Sequence, residues 1–226
     1  MEFQTKKQKK DHLRLVNNVA VQGPAKYTDW SRVPITFTEE DLQLEIYPHT
    51  DAMVVKTNKA AWEISRVLID MGSSADIIFA NTFDQMKLSR NQLQPSESPL
   101  IGFGGKQIQA LGKISLPVSF GTQANTRTEY ITFDVVDLYY PYNAILGRGF
   151  TTKFNTALHM AYLCMKIPAL DGIITVRGSQ KEARNIEKAI YRAQRNINAV
   201  ESTDKELEPP DMPREKQIWQ VKKKQR

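Results

Sequence analysis

Val67-Leu68-Ile69-Asp70-Met71-Gly72-Ser73-Ser74-Ala75 runs three apolar, strand-favouring residues straight into a carboxylate, with a glycine two places later. This order predicts an aspartate at the end of a buried strand, on a loop whose backbone bends tightly, where a carboxylate can face a cleft. The same string also describes ordinary strand-to-turn junctions, so the nine residues alone leave both readings open. Two further stretches decide between them: Ile101-Gly102-Phe103-Gly104-Gly105 and Ala144-Ile145-Leu146-Gly147-Arg148.

Outward from Asp70 the pattern is that of short strands. Ala52–Lys56 and Trp62–Ile69, separated by a polar turn at Asn58-Lys59, predict a hairpin whose second arm delivers Asp70. Ala75–Phe79 reads as a further strand, Asn81–Leu88 as one or two helical turns with Phe83 and Met86 on one side, and Gln94–Pro99 as a loop. Ile114, Leu116, Val118 and Phe120 alternate with Lys113, Ser115, Pro117 and Ser119, the period of a half-buried strand. After a turn at Gly121–Asn125, Ile131, Phe133 and Val135 alternate on the way back. Asn143–Gly147 reads as a buried strand, Arg148–Phe154 as a helical turn and Tyr162–Ile167 as a last strand. Short strands, frequent turns and small helices predict a compact, mostly antiparallel β domain over residues 50–168.

The three motifs together make this segment resemble the retropepsin family of aspartic proteases, in particular the protease segments of plant gypsy-type long-terminal-repeat retrotransposon polyproteins. Asp70-Met71-Gly72-Ser73-Ser74 stands where the family has Asp-Thr/Ser-Gly. Ile101, Gly102, Phe103, Gly104 and Gly105 stand where it has a glycine-rich flap tip. Ile145, Leu146, Gly147 and Arg148 stand where it has two apolar residues, glycine and arginine. The resemblance implies a mostly-β, closed barrel-like retropepsin subunit. It also implies an aspartic endopeptidase that processes a retroelement polyprotein, with an extended polypeptide as substrate and no cofactor or metal. Two carboxylates sharing one proton carry that chemistry, one as base on a water and the other as donor to the scissile carbonyl. The chain has one such motif, so the family's mechanism implies a homodimer with Asp70 of each copy on a two-fold axis. Met71 departs from the pattern. The family's hydroxyl there bonds across the axis, and a thioether donates nothing. A second reading therefore keeps the fold and drops the chemistry: a decayed protease domain retained for dimerisation or peptide binding.

Charge separates the ends from the middle. The 226-residue chain carries a formal +6, but residues 1–14 hold five basic against two acidic side chains, and residues 214–226 six against one. The segment between them is close to neutral. Residues 1–49 read as a flexible leader, with a short extended stretch at 30–37 and a helical turn capped by Thr38 ahead of Glu39, Glu40 and Asp41. Residues 169–200 read as a linker and an amphipathic helix, opened by Ser179 and Glu182, with Ala183, Ile186, Ile190, Ala193, Ile197 and Val200 along one seam. Residues 201–226 read as a disordered basic tail. The basic ends are candidates for weak nucleic-acid contact by charge alone, and a third reading makes the chain a nucleic-acid-associated linker.

The remaining residues carry blander expectations. Asp76 reads as a turn or surface residue, and Asp134 and Asp137 as solvated. His12, His49 and His159 show no metal-ligand spacing, Ser73-Ser74 no hydrolase partners, and Gly102–Lys106 no phosphate-loop ending. The single cysteine, Cys164, reads as a small core residue in a reducing compartment. With no apolar run long enough to span a bilayer and no secretory signal, the expected location is intracellular, in the cytoplasm.

Overall fold

The computed structural model describes residues 33–57, 63–102 and 104–206, with side chains at 194 and 196–206 outside that set. The predicted 58–59 turn and both basic ends lie outside the described residues. Eleven strands and three α-helices follow one another among those described: β1 (Val54–Thr57), β2 (Ile64–Ile69), β3 (Ile77–Phe79), α1 (Ala80–Gln85), β4 (Leu100–Ile101), β5 (Gln107–Ile108), β6 (Gly112–Gly121), β7 (Thr126–Val136), β8 (Ala144–Leu146), α2 (Arg148–Phe154), β9 (Ala157–His159), β10 (Cys164–Ala169), β11 (Gly172–Arg177) and α3 (Gln180–Glu206). The chain is mostly β, as its alternating and apolar segments predict.

The main sheet has the order β1-β2-β8-β3-β7-β6. It curls into a half-barrel whose open side is closed by packing, since β11 and β1 approach β6 without joining the hydrogen-bonded ladder. The outer pairs β1–β2 and β6–β7 are antiparallel, but β2–β8 and β3–β7 run parallel. Most strand pairs are antiparallel, as expected; the two parallel pairs join segments far apart in sequence, which local periodicity does not report.

The short apolar runs become legible once both faces of the sheet are seen. Val55, Val67, Ile69, Ile78, Ala144 and Leu146 enter the main core with Phe83, Phe120, Phe150 and Phe154. Their neighbours Val54, Leu68, Ile77 and Ile145 point to the opposite face, where Tyr142 and Ala183, Ile186 and Ile190 of α3 cover them. Strands buried on both faces read as unbroken apolar stretches, whereas β6 and β7, nearer the rim, alternate. Ala183 and Ile186 are buried and Ile190 half-buried, but Ala193 is exposed, so the packed part of the α3 seam ends at Ile190. The aromatic centre is tight: the Phe150 and Phe154 rings lie 4.8 Å apart and each is 5.6 Å from Phe120. Buried Arg127 ties it to the strands, donating to the carbonyls of Lys153 and Phe154 at 2.7 Å and of Pro168 at 2.9 Å.

Two segments differ from the sequence reading. The chain does not pass into a linker after β10. It turns at Leu170-Asp171 and returns as β11, antiparallel to β10 along its whole length, with Ile174 buried. Residues 36–49, read as the end of a flexible leader, and Asp51 just after them, are tied down. Lys166 Nζ donates to Asp41 Oδ2 and to the Thr36 carbonyl, both at 2.7 Å, and Arg184 makes two 2.8 Å bonds to Asp51. Thr38 caps a single 3₁₀ turn at Glu39–Asp41, its N–H donating to Asp41 Oδ2 at 2.8 Å.

Candidate active site: the Asp70 loop and the turn that clamps it

Parallel pairing of β2 with β8 brings two of the three motifs side by side. Val67, Leu68 and Ile69 pair with Ala144, Ile145 and Leu146, and the Asp70 N–H extends the ladder to the Leu146 carbonyl at 2.9 Å. The chain then folds back on itself. The Asp70 carbonyl accepts the Ser73 N–H at 3.1 Å, and its Oδ1 accepts the Gly72 N–H at 2.9 Å, a side-chain-closed turn that aspartate favours. A Cβ on Gly72 would stand 3.1 Å from that same Oδ1, so glycine keeps the turn tight without crowding the carboxylate. Ser73 Oγ donates to the Ala75 carbonyl at 2.9 Å and accepts the Ala75 N–H at 3.2 Å. Asp70 is half-buried, and among the described residues its Oδ2 has no hydrogen-bond partner. Met71, at the tip, is 52% exposed.

The turn after β8 locks onto this loop from the other side. The Arg148 N–H donates to the Ser73 carbonyl at 3.0 Å, and its guanidinium reaches the Gly72 carbonyl at 3.1 Å. Gly147 has no space for a side chain: a Cβ would meet the Ala75 oxygen at 2.5 Å and the Ser73 oxygen at 2.8 Å. Leu146 anchors the turn in the main core, while Ile145 points to the α3 side.

Asp76 corrects its expected surface role. It is only 8% exposed, and its Oδ1 accepts the N–H groups of Gly147 at 2.7 Å and Phe150 at 3.3 Å. One buried carboxylate thus fixes both the Gly147 turn and the first turn of α2. Burial pushes its pKa above the ordinary carboxylate range, and the two amide donors pull it part of the way back. The signal was present in the sequence, since a carboxylate inside the apolar run Ala75–Phe79 has to find donors there. Asp134 is likewise buried rather than solvated: Lys113 Nζ lies 3.7 Å and Ser96 Oγ 3.2 Å from its Oδ1, while its N–H donates to the Asp76 carbonyl at 2.9 Å. Asp137 is exposed.

The third motif stands apart. β4 and β5 form a two-stranded hairpin whose turn is closed by Gly102 N–H to Lys106 O at 2.9 Å and Gly105 N–H to Gly102 O at 3.0 Å. Gly104 and Gly105 take φ of +85° and +82°, a left-handed backbone that only glycine adopts without strain. Ile101 is 70% exposed, and Phe103 lies outside the described residues. Among the described residues no hydrogen bond or ion pair joins this hairpin to the Asp70 loop. The structure therefore brings residues 70–76 together with 145–148.

Other titratable groups serve the scaffold. Among the described residues no three His, Cys, Asp or Glu side chains are grouped to hold a metal ion, and no helix is long and apolar enough to cross a membrane. Cys164 is fully buried, and burial raises its thiol pKa. The His159 ring stacks on Tyr162 at 3.9 Å, and His49 lies beneath α3 beside Asp51.

No family model matches the chain, and no curated protein matches it. Solved structures do, and two of them are retropepsin-like aspartic protease domains. The retroviral protease-like domain of Ddi1 from Leishmania major is 14% identical with a TM-score of 0.45, and the match covers 58% of this chain and 96% of that one. A retropepsin-like aspartic protease from Rickettsia conorii is 12% identical with a TM-score of 0.35, over 56% of this chain and 87% of its own.

Proposed function

We propose that the chain is an aspartic endopeptidase of retropepsin type, active as a homodimer, that cleaves a polypeptide held in extended form. The observation that carries this reading is the single half-buried Asp70 on a loop clamped at both ends by main-chain bonds. Its Oδ1 is held by the Gly72 amide, and the neighbouring carboxylate, Asp76, is committed to backbone donors and does not complete a dyad. A second copy would supply the missing carboxylate. Like charges at close range cannot both ionise, so the pair would hold one proton between them. One Asp70 would then activate water while its partner donates to the scissile carbonyl. Met71, exposed and apolar at the loop tip, is the kind of side chain a second copy would cover.

In this reading residues 101–105 act as the flap that closes over substrate, and the protease body runs from about residue 50 past the expected end at 168 to take in β11 and the packed part of α3. Processing of a plant gypsy-type retroelement polyprotein is the role the motif set favours. The alternative, a decayed module that dimerises or binds peptide without cleaving it, draws on Met71, which offers no hydrogen bond across an axis.

Incubation of the full chain with a peptide library, with and without pepstatin, tests the proposal. Cleavage that pepstatin and Asp70→Asn both abolish is expected. Cleavage that survives Asp70→Asn overturns the aspartic mechanism. A folded dimer that cleaves nothing establishes the decayed module instead.

A further inference from the structure

A groove of about 730 Å³ runs between the Pro48–Asp51 loop and the flank of α3, away from the Asp70 loop. Its floor is rigid. Gln180 Oε1 accepts the N–H groups of Glu45 and Ile46 at 3.0 and 3.2 Å, and its Nε2 donates to Asp51 Oδ2 at 2.7 Å. Asp51 also receives the Arg184 fork, which holds its pKa below the usual carboxylate range. The His49 side chain is 2% exposed, with Nδ1 accepting the Asp51 N–H at 3.1 Å and Nε2 3.2 Å from the Ala161 carbonyl.

The helix wall of this groove is cationic. Lys188, Arg192 and Arg195 follow Arg184 at spacings of four, four and three, one stripe beside the apolar seam. Arg184 is neutralised by Asp51, but Lys188, Arg192 and Arg195 have no carboxylate partner among the described residues. Among the described residues the only other acid lining the groove is Glu187. Tyr191 stands among the three cations and is 62% exposed. From Lys188 to Arg195 the stripe spans roughly 10 Å along the helix axis. That is too long for one phosphate and suited to a run of them.

From this we infer that the α3 groove binds single-stranded nucleic acid, with Lys188, Arg192 and Arg195 on successive phosphates and Tyr191 as the stacking platform for a base. Cations in a line supply attraction without sequence preference, and an exposed aromatic ring among them offers what a base needs and a simple anion does not. This surface is independent of the aspartic chemistry and of the basic ends of the chain.

Fluorescence anisotropy of a labelled oligo(U) with the full chain tests it. Lys188→Gln, Arg192→Gln and Arg195→Gln are combined in one variant. Lys56→Gln, Lys87→Gln and Lys106→Gln are combined in another, with the same change in net charge at exposed positions elsewhere. The groove variant should lower the slope of log affinity against log salt by about 2, at roughly 0.7 for each phosphate no longer neutralised. The control variant should leave that slope unchanged. Tyr191→Ala should weaken binding by about fivefold or more. Ultraviolet cross-linking of oligo(U) to the unaltered chain should label the tryptic peptide 189–192, a readout that needs no variant to fold. Equal losses in the two triple variants would assign the binding to net charge rather than to the groove and overturn the proposal, as would an unchanged slope in the groove variant, absence of binding at low salt or cross-links confined to other peptides.

Discussion

In the proposed function, Met71 is the residue on which activity and decay part. Threonine at this position can donate across a two-fold axis where the thioether cannot, and each bond is worth about 1 kcal/mol net. Two bonds per dimer correspond to somewhat under thirtyfold in the dimer constant, so Met71→Thr should tighten the dimer by about that factor in sedimentation equilibrium. An unchanged constant would mean that the loop tip does not meet its copy. Asp76 sets a second residue-scale test. Its pKa is raised in the fold, so its contribution to stability is full below the ordinary carboxylate range and is lost as pH rises through the raised value. The lowered carboxyls of Asp41 and Asp51 have the opposite sign, their contribution disappearing as pH falls through their depressed values. Asp76→Asn should therefore flatten the decline in melting temperature between mildly acidic and neutral pH and leave the acid-side loss in place.

At the scale of elements, the Asp70 loop and the β8–α2 turn behave as one unit. Gly147→Ala would drive a Cβ to 2.5 Å from a backbone oxygen that cannot swing aside. It should cost about 1–3 kcal/mol or more, read by urea denaturation, because the loop itself has to shift. The β4–β5 hairpin is the contrasting case. Gly104 and Gly105 have open space around them and the hairpin's ladder is two residues long on each side, so amides in 101–106 should exchange far faster than those in 113–120. Equal protection would rule out a flap. Much of this element structure was legible in the residues themselves. The period of two in 114–120 and 131–135 marked β6 and β7, and Phe83 and Met86 marked the buried side of α1. The Asp70 loop could be read from its Asp-x-Gly order. The clamp around it could not be read as a contact, because the parallel β2–β8 pairing joins residues far apart along the chain. β11 lay beyond the expected last strand at Tyr162–Ile167, because the domain boundary set at residue 168 falls inside β10, where Pro168 pairs with Ile173. The burial of Asp76 could be read from its place in the apolar run Ala75–Phe79, but its partners could not, because main-chain amides leave no pattern of side chains.

On the scale of the whole molecule, the proposed function makes one chain the bearer of half an acid–base pair, on a loop that the rest of the fold holds in place. The main core sits behind it, α3 covers the far face of the sheet, and residues 36–51 strap β10 to α3. Among the described residues nothing completes the dyad, so in this account catalysis is a property of two copies. The most direct test is the initial rate of peptide cleavage as a function of protein concentration, across the range in which sedimentation shows monomer converting to dimer. The rate per mole of chain should rise in step with the fraction dimerised and level off when dimerisation is complete. A rate per mole that stays constant while the protein is monomeric would contradict the shared-carboxylate account.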